Sequence, residues 1–127
     1  MAGRGAKNTM PLGRRGEELA AACLERRGYR ILARNYRRRF GEVDLVARHR
    51  GQLVFIEVKT RQSDRYGTPF EAVDRRKQHQ LVLVATDYIA RHHLENETAR
   101  FDVVAVTRDR DGRIRVDVLE DAFHPDY

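Results

Sequence analysis

The chain has 127 residues, one cysteine and a formal net charge of +6, and 35% of its residues are charged. That length suits one domain with a real core. The lone Cys23 excludes an internal disulfide and suggests a reducing compartment, so the expected location is cytoplasmic. No apolar run approaches the roughly 18 residues of a membrane span, and the basic excess favours a polyanionic partner, nucleic acid above all. Only three of the 25 basic residues are lysines, Lys7, Lys59 and Lys77. Arginine suits multidentate phosphate contact, whereas lysine is a compact donor. A chain that otherwise prefers arginine has lysine at 59 and 77.

In chain order, residues 1–12 are polar, basic and glycine-containing, and read as a disordered arm rather than a signal peptide. A domain over 13–120 and a short polar tail over 121–127 complete the expected organisation. The first helix is expected from about Arg14 to Arg27, stopped by Gly28. Cys23 sits in it among Leu19, Ala20 and Leu24 and reads as a small buried hydrophobe. A strand follows at Tyr29 to about Asn35. Gly41 to Arg48 and Leu53 to Thr60 read as strands joined through His49-Arg50-Gly51-Gln52. Thr68-Pro69-Phe70-Glu71 has the form of a capping box, and the helical pattern persists to about His93, with a restart at Asp74 as an alternative. Phe101 to Thr107 and Ile114 to Leu119 form a last hairpin over Asp111-Gly112. The order αβββαββ describes an α/β domain with a mixed sheet packed by two helices.

The hairpin around Arg50-Gly51 carries the chemistry. If those two residues centre the turn, Asp44 lies opposite Glu57 and Glu42 opposite Lys59. Strand alternation then points all four the same way. The other face collects Val43, Leu45, Ala47, Val54, Ile56 and Val58, which makes it core and fixes the register. Opposed residues have Cβ atoms about 4.5–5.5 Å apart, so two carboxylates can share one hard divalent cation, with water completing its shell. Asp44, Glu57 and Glu42 are the candidate metal ligands for Mg²⁺ or Mn²⁺, and Lys59 would orient the attacking water or hold a phosphate. The plain reading is a solvated polar face. Against it, Val46, Leu53 and Phe55 share that face, and three acids cluster among aliphatics although acids are poor strand formers.

The helices add Glu17 and Lys77. Glu17 projects from the line of Ala20, Ala21 and Leu24, as a site acid or as a first-turn carboxylate complementing the helix dipole. Lys77 heads the stripe Leu81, Val84, Tyr88, as a phosphate or acid partner or as a snorkelling stem.

Gly16-Glu17, Gly28-Tyr29, Arg34-Asn35, Gly41-Glu42-Val43-Asp44-Leu45, Phe55-Ile56-Glu57-Val58-Lys59-Thr60-Arg61, Glu71-Ala72-Val73, Lys77 and Arg100-Phe101-Asp102-Val103-Val104 follow one another over about residues 12–106. In that set the chain resembles the YraN-like family of small bacterial proteins. The resemblance implies a restriction-endonuclease-like fold with an αβββαβ core, near archaeal Holliday-junction resolvases. It implies a PD-(D/E)XK nuclease site with Asp44, Glu57 and Lys59 in the catalytic positions. Glu17 matches the first-helix acid of such resolvases, and Lys77 the polar residue some members add from the later helix. Val43 stands where the superfamily name expects proline. Relatives that resolve four-way junctions act as dimers, so a homodimer is the oligomer the resemblance suggests.

Arg14, Arg15, Arg34, Arg37, Arg38, Arg39, Arg61, Arg65, Arg75 and Arg76 flank this region as candidate phosphate contacts. Arg37-Arg38-Arg39 is the leading patch. Tyr36, Phe40 and Tyr66 are aromatics for stacking on bases or for core packing. His92-His93 has no matching ligand pair for zinc. The expected activity is metal-dependent cleavage of branched or structured DNA, DNA being favoured over RNA. The alternatives are a non-cleaving nucleic-acid binder that keeps the fold, or a partner-binding accessory domain.

Overall fold

The computed structural model describes residues 12–62, 70 and 73–125. Its elements are α1 (Leu12–Arg26), β1 (Arg30–Arg38), β2 (Gly41–His49), β3 (Gln52–Gln62), α2 (Arg75–Arg91), β4 (Ala99–Arg108) and β5 (Ile114–Phe123). The αβββαββ order is the one the sequence predicts. The sheet has the order β1-β2-β3-β4-β5 and is mixed: β3 and β4 run parallel, and the other neighbours are antiparallel. A parallel pair needs a crossover rather than a hairpin, and α2 supplies it. The arm before Leu12, and Thr68, Pro69 and Glu71 of the capping box, lie outside the described residues.

Two apolar layers sandwich the sheet. On one face Ala20, Ala21 and Leu24 of α1 pack against Leu45, Ala47, Val54, Ile56, Val104 and Val106. On the other, Leu81, Val84, Ala85 and Tyr88 of α2 pack against Val46, Leu53, Phe55, Phe101 and Val103. Alternation along β3 and β4 feeds both layers, which is why these strands read as continuous aliphatic runs. Among the described residues no helix is long and apolar enough to cross a membrane.

Local signals explain the boundaries. α1 ends in a Schellman motif, with Tyr29 N donating to Leu24 O (3.0 Å) and Gly28 N to Glu25 O (3.1 Å). Tyr29 and Leu24 then pack in the same apolar layer. Arg50 (φ 52°) and Gly51 (φ 77°) form the turn between His49 and Gln52, the register expected from the sequence. α2 starts after Asp74, whose side chain accepts from Lys77 N at 2.9 Å.

The last hairpin turns over Asp111-Gly112 as expected: its last pair is Arg108 with Ile114, and Asp109 Oδ1 accepts from Asp111 N (2.9 Å) and Arg113 N (2.8 Å), which stabilises the loop. Two expectations are corrected. β1 and β5 run past their expected ends, to Arg38 and Phe123. Phe123 stacks on Phe101 at 4.8 Å, so apolar burial continues the strand into the polar tail expected over 121–127. Cys23 is only partly buried.

Candidate functional site

The β2–β3 ladder runs from His49↔Gln52 to Leu45↔Ile56 and stops one position short of Asp44 and Glu57. Where the ladder stops, Asp44 Oδ2 accepts the backbone N–H of Val58 at 2.7 Å. A side chain has taken the place of a main-chain acceptor, and the Asp44 carboxylate lies in the gap between the two strands.

A change of phase in the neighbouring strands puts it there. Ala33 and Tyr36 on β1, three residues apart, both pack on the α2 side, as do Val43 and Val46 on β2. Strict alternation would send each pair to opposite faces. The slip falls at Asn35 (φ 51°) and at Asp44, which the pairs Arg34↔Leu45 and Tyr36↔Val43 place opposite one another. Val43 is therefore not on the face of Leu45, Ala47, Val54, Ile56 and Val58. The four polar residues of the hairpin do not share a side either. Glu57, Lys59 and Lys77 meet on the α2 side, Glu42 turns towards α1, and Asp44 lies between.

On the α2 side Glu57 is only 5% exposed. Lys59 Nζ and Lys77 Nζ lie 3.4 and 3.5 Å from its Oε2. Capping by Asp74 anchors the backbone of Lys77, which brings its ammonium to Glu57. On the α1 side the Asn35 amide nitrogen, oriented to satisfy both neighbours, donates to Glu17 Oε1 (3.3 Å) and Glu42 Oε2 (3.1 Å). Glu42 also pairs with Arg37 at 3.2 Å rather than with Lys59. Glu17 reaches the site because Gly16 lets α1 lie against β3: a Cβ on Gly16 would fall 2.2 Å from Thr60 Cγ2.

These surroundings push the Asp44 carboxyl up to about 7. Burial is the main cause, followed by the charge of Glu57, with smaller pushes from Glu17 and Glu42; the Val58 N–H bond opposes them. Asp44 is thus a desolvated acid among acids, an arrangement a dication would relieve. Its donors are all hard oxygens, suited to Mg²⁺ or Mn²⁺ rather than zinc. Among the described residues no group of three or more His, Cys, Asp or Glu is placed to hold an ion. Asp44 and Glu57 would be joined by water. A cleft of about 350 Å³ lined by Arg14, Glu17, Glu18, Arg34, Asn35 and Leu45 opens towards this acid group.

The arginines divide. Arg14 and Arg76 are exposed at the first turns of α1 and α2, and Arg61 is half-buried near the end of β3. The Arg37-Arg38-Arg39 run is less free than the sequence suggests: Arg37 pairs with Glu42, Arg38 with Asp87 at 3.1 Å, and Arg39 stays exposed. Tyr36 packs against the core and donates to Asp87 at 2.5 Å. Tyr66 lies outside the described residues. His92 caps α2 and stacks on Tyr88.

Sequence reasoning missed a second polar cluster near the β2–β3 turn. Buried Asp102 accepts from Tyr29 (2.6 Å), from Arg100 through both oxygens (2.9 and 3.0 Å), and from Asp121 N (2.9 Å). Arg100 also reaches Gln52 Oε1 (2.9 Å) and His49 Nδ1 (2.6 Å), and Tyr29 stacks on His49 at 3.8 Å. The available signal was an arginine and an aspartate two apart at the start of a strand that runs on through aliphatics from Val103 to Val106.

Residues 16–106 match the model of the Uncharacterised protein family UPF0102. The chain belongs to that family. Among its relatives, UPF0102 protein STH1475 of Symbiobacterium thermophilum is 51% identical over 113 residues, 89% of this chain and 96% of its own. A UPF0102 protein of Syntrophus aciditrophicus is 47% identical over 91% of this chain and 90% of its own. UPF0102 protein GSU0650 of Geobacter sulfurreducens is 46% identical over 98% of each. The family match contains every acid and lysine of the site described above.

Proposed function

We propose that this UPF0102 member is a Mg²⁺- or Mn²⁺-dependent endonuclease of the PD-(D/E)XK type, acting on branched or otherwise structured DNA. The observation that carries the reading is geometric: Asp44 lies in a sheet gap on the Val58 N–H at 2.7 Å, beside a glutamate within 3.5 Å of two lysines, and burial and the charge of Glu57 raise its carboxyl there. A structural ion cluster has no need of an unpaired, desolvated acid at its centre.

In this reading Asp44 and Glu57 hold the cation, and water completes its shell. The ion would supply a hard positive centre that favours ionisation of water and the charge developing on phosphorus. Hydrolysis adds water across a P–O ester bond, with hydroxyl to phosphorus and a proton to the leaving oxygen. Lys59 and Lys77, within reach of Glu57, would orient the water and hold a phosphate oxygen. Arg14 and Arg34, which line the cleft beside Glu17 and Asn35, and Arg39, Arg61 and Arg76 are candidate backbone contacts, which fix position rather than sequence. A homodimer fits an enzyme that cuts paired strands.

The test is incubation of pure protein with forked, flapped and four-way DNA in Mn²⁺, beside Asp44→Ala. Metal-dependent cleavage lost in the variant is the expected result; equal cleavage by both proteins would expose contamination. A second reading, a nucleic-acid binder without cleavage, draws on the two lysines that already neutralise Glu57. Tight, salt-dependent binding of the same DNAs with neither cleavage nor Asp44-dependent Mn²⁺ uptake would favour it.

A further inference from the structure

We infer that Asn35 is a positioning residue that sets the spacing of Glu17 and Glu42 beside Asp44. The inference rests on the proposed metal site, in that the spacing of these acids matters to function only if their charge bears on a cation held at Asp44. Its structural half stands alone.

Two independent demands meet at this residue. The backbone takes φ 51°, in the left-handed region, where β1 changes phase opposite Asp44. Asparagine tolerates that conformation better than other non-glycine residues. The side chain then donates from one nitrogen to Glu17 Oε1 (3.3 Å) on α1 and Glu42 Oε2 (3.1 Å) on β2. Glycine would meet the first demand and not the second. Glutamine carries the amide but fits the backbone poorly.

The chemistry of the bridge is specific. Glu17 and Glu42 repel each other, and both add to the charge bearing on Asp44. A lysine or arginine between them would hold them together by cancelling the field a dication needs. A carboxamide spends only its polarised N–H groups, so the pair is fixed and its negative charge is kept. Asn35 also lines the cleft shared by Arg14, Glu17 and Arg34, so the bridge is open to a ligand entering there.

The test uses the full chain with Asn35→Gly, which keeps the backbone conformation and removes the amide, and Asn35→Asp, which keeps the shape but turns a donor into an acceptor. Mn²⁺ affinity by calorimetry should fall about 10- to 100-fold in Asn35→Gly, the usual range for partners outside the ligand set. Glu17→Gln should then add little further loss in that background. In the metal-free protein, Tm shifts of Asn35→Gly and Glu17→Gln should be clearly non-additive, because they remove two ends of one contact. Asn35→Asp should lower the metal-free Tm, and Mn²⁺ should raise it again by more than it raises that of wild type. Wild-type Mn²⁺ affinity in Asn35→Gly, or additive metal-free Tm shifts, would overturn the inference. If wild type takes up no Mn²⁺, the nuclease reading fails by itself, and the metal-free cycle still decides whether the bridge exists.

Discussion

Asp44 Oδ2 accepts the Val58 backbone N–H at 2.7 Å, one step beyond the last β2–β3 pair, Leu45↔Ile56. The bond holds a desolvated carboxylate where sheet pairing would otherwise continue. An asparagine oxygen could accept the same N–H without the charge.

Asp44→Asn should therefore stabilise the protein at pH 8. The folded carboxyl is raised from 3.8 to about 7. Its favourable contribution is complete below the unfolded value and is lost as pH rises through the folded one. At about 1.4 kcal/mol per unit, discounted for partial exposure and relaxation, the gain at pH 8 is roughly 1–3 kcal/mol. It should shrink towards pH 4. Urea unfolding at both pH values checks this, and equal gains at both would show that Asp44 ionises normally.

Mn²⁺ affinity should rise steeply between pH 6 and 8, because a proton on Asp44 competes with the ion. Calorimetry across that range provides the measurement. A flat profile would place the metal elsewhere.

Lys59→Met should lower cleavage by about 100-fold or more, within the range of general acid–base and phosphate-positioning groups. Mn²⁺ affinity should hold or increase, since Nζ stands 3.4 Å from Glu57 Oε2 and competes for that oxygen. Loss of metal binding in this variant would contradict the assigned role.

Gly16→Ala should cost about 1–3 kcal/mol by overpacking. The added methyl meets Thr60 Cγ2 at 2.2 Å. Thr60→Ser, which removes that carbon, should recover much of the loss in the double variant. Failure to recover would mean that the helix cannot approach β3 for some other reason.

Arg100→Met should be the most damaging of these changes, at about 3–5 kcal/mol, because it leaves a buried carboxylate without its cation. Asp102 is 1% exposed and Arg100 7%. Replacing Asp102 with Asn in the same background should restore part of the stability, as measured by thermal unfolding.

Element order, the Arg50-Gly51 register and the acid–lysine hairpin were legible because each rests on local rules: alternation, turn residues and capping. Asn35 and Asp44 were not fully legible: alternation along β2 was extrapolated through Asp44, opposite the left-handed Asn35, whereas Val43 lies in the other layer. Glu42 was assigned to Lys59 for the same reason. Lys77 was legible as the head of an apolar stripe, while its contact with Glu57 needed the crossover of α2. The Tyr29–Asp102 contact joins residues 73 apart, and no local pattern announces such a pair. The arginine run was over-read because sequence does not reveal which charges find acids on other elements.

That distant contact gives the sheet two unlike ends. Near the Arg50-Gly51 turn, Tyr29, His49, Arg100 and Asp102 interlock segments from across the chain, and such contacts close slowly because a long loop must be ordered first. At the far end β2 and β3 are linked by one aspartate. Deuterium should consequently enter the amides around Val58 through small local openings, while those of β4 beside Arg100 wait for the whole domain to unfold. Under the proposed function, the end that would admit a phosphate backbone is the one that can part without loosening the rest.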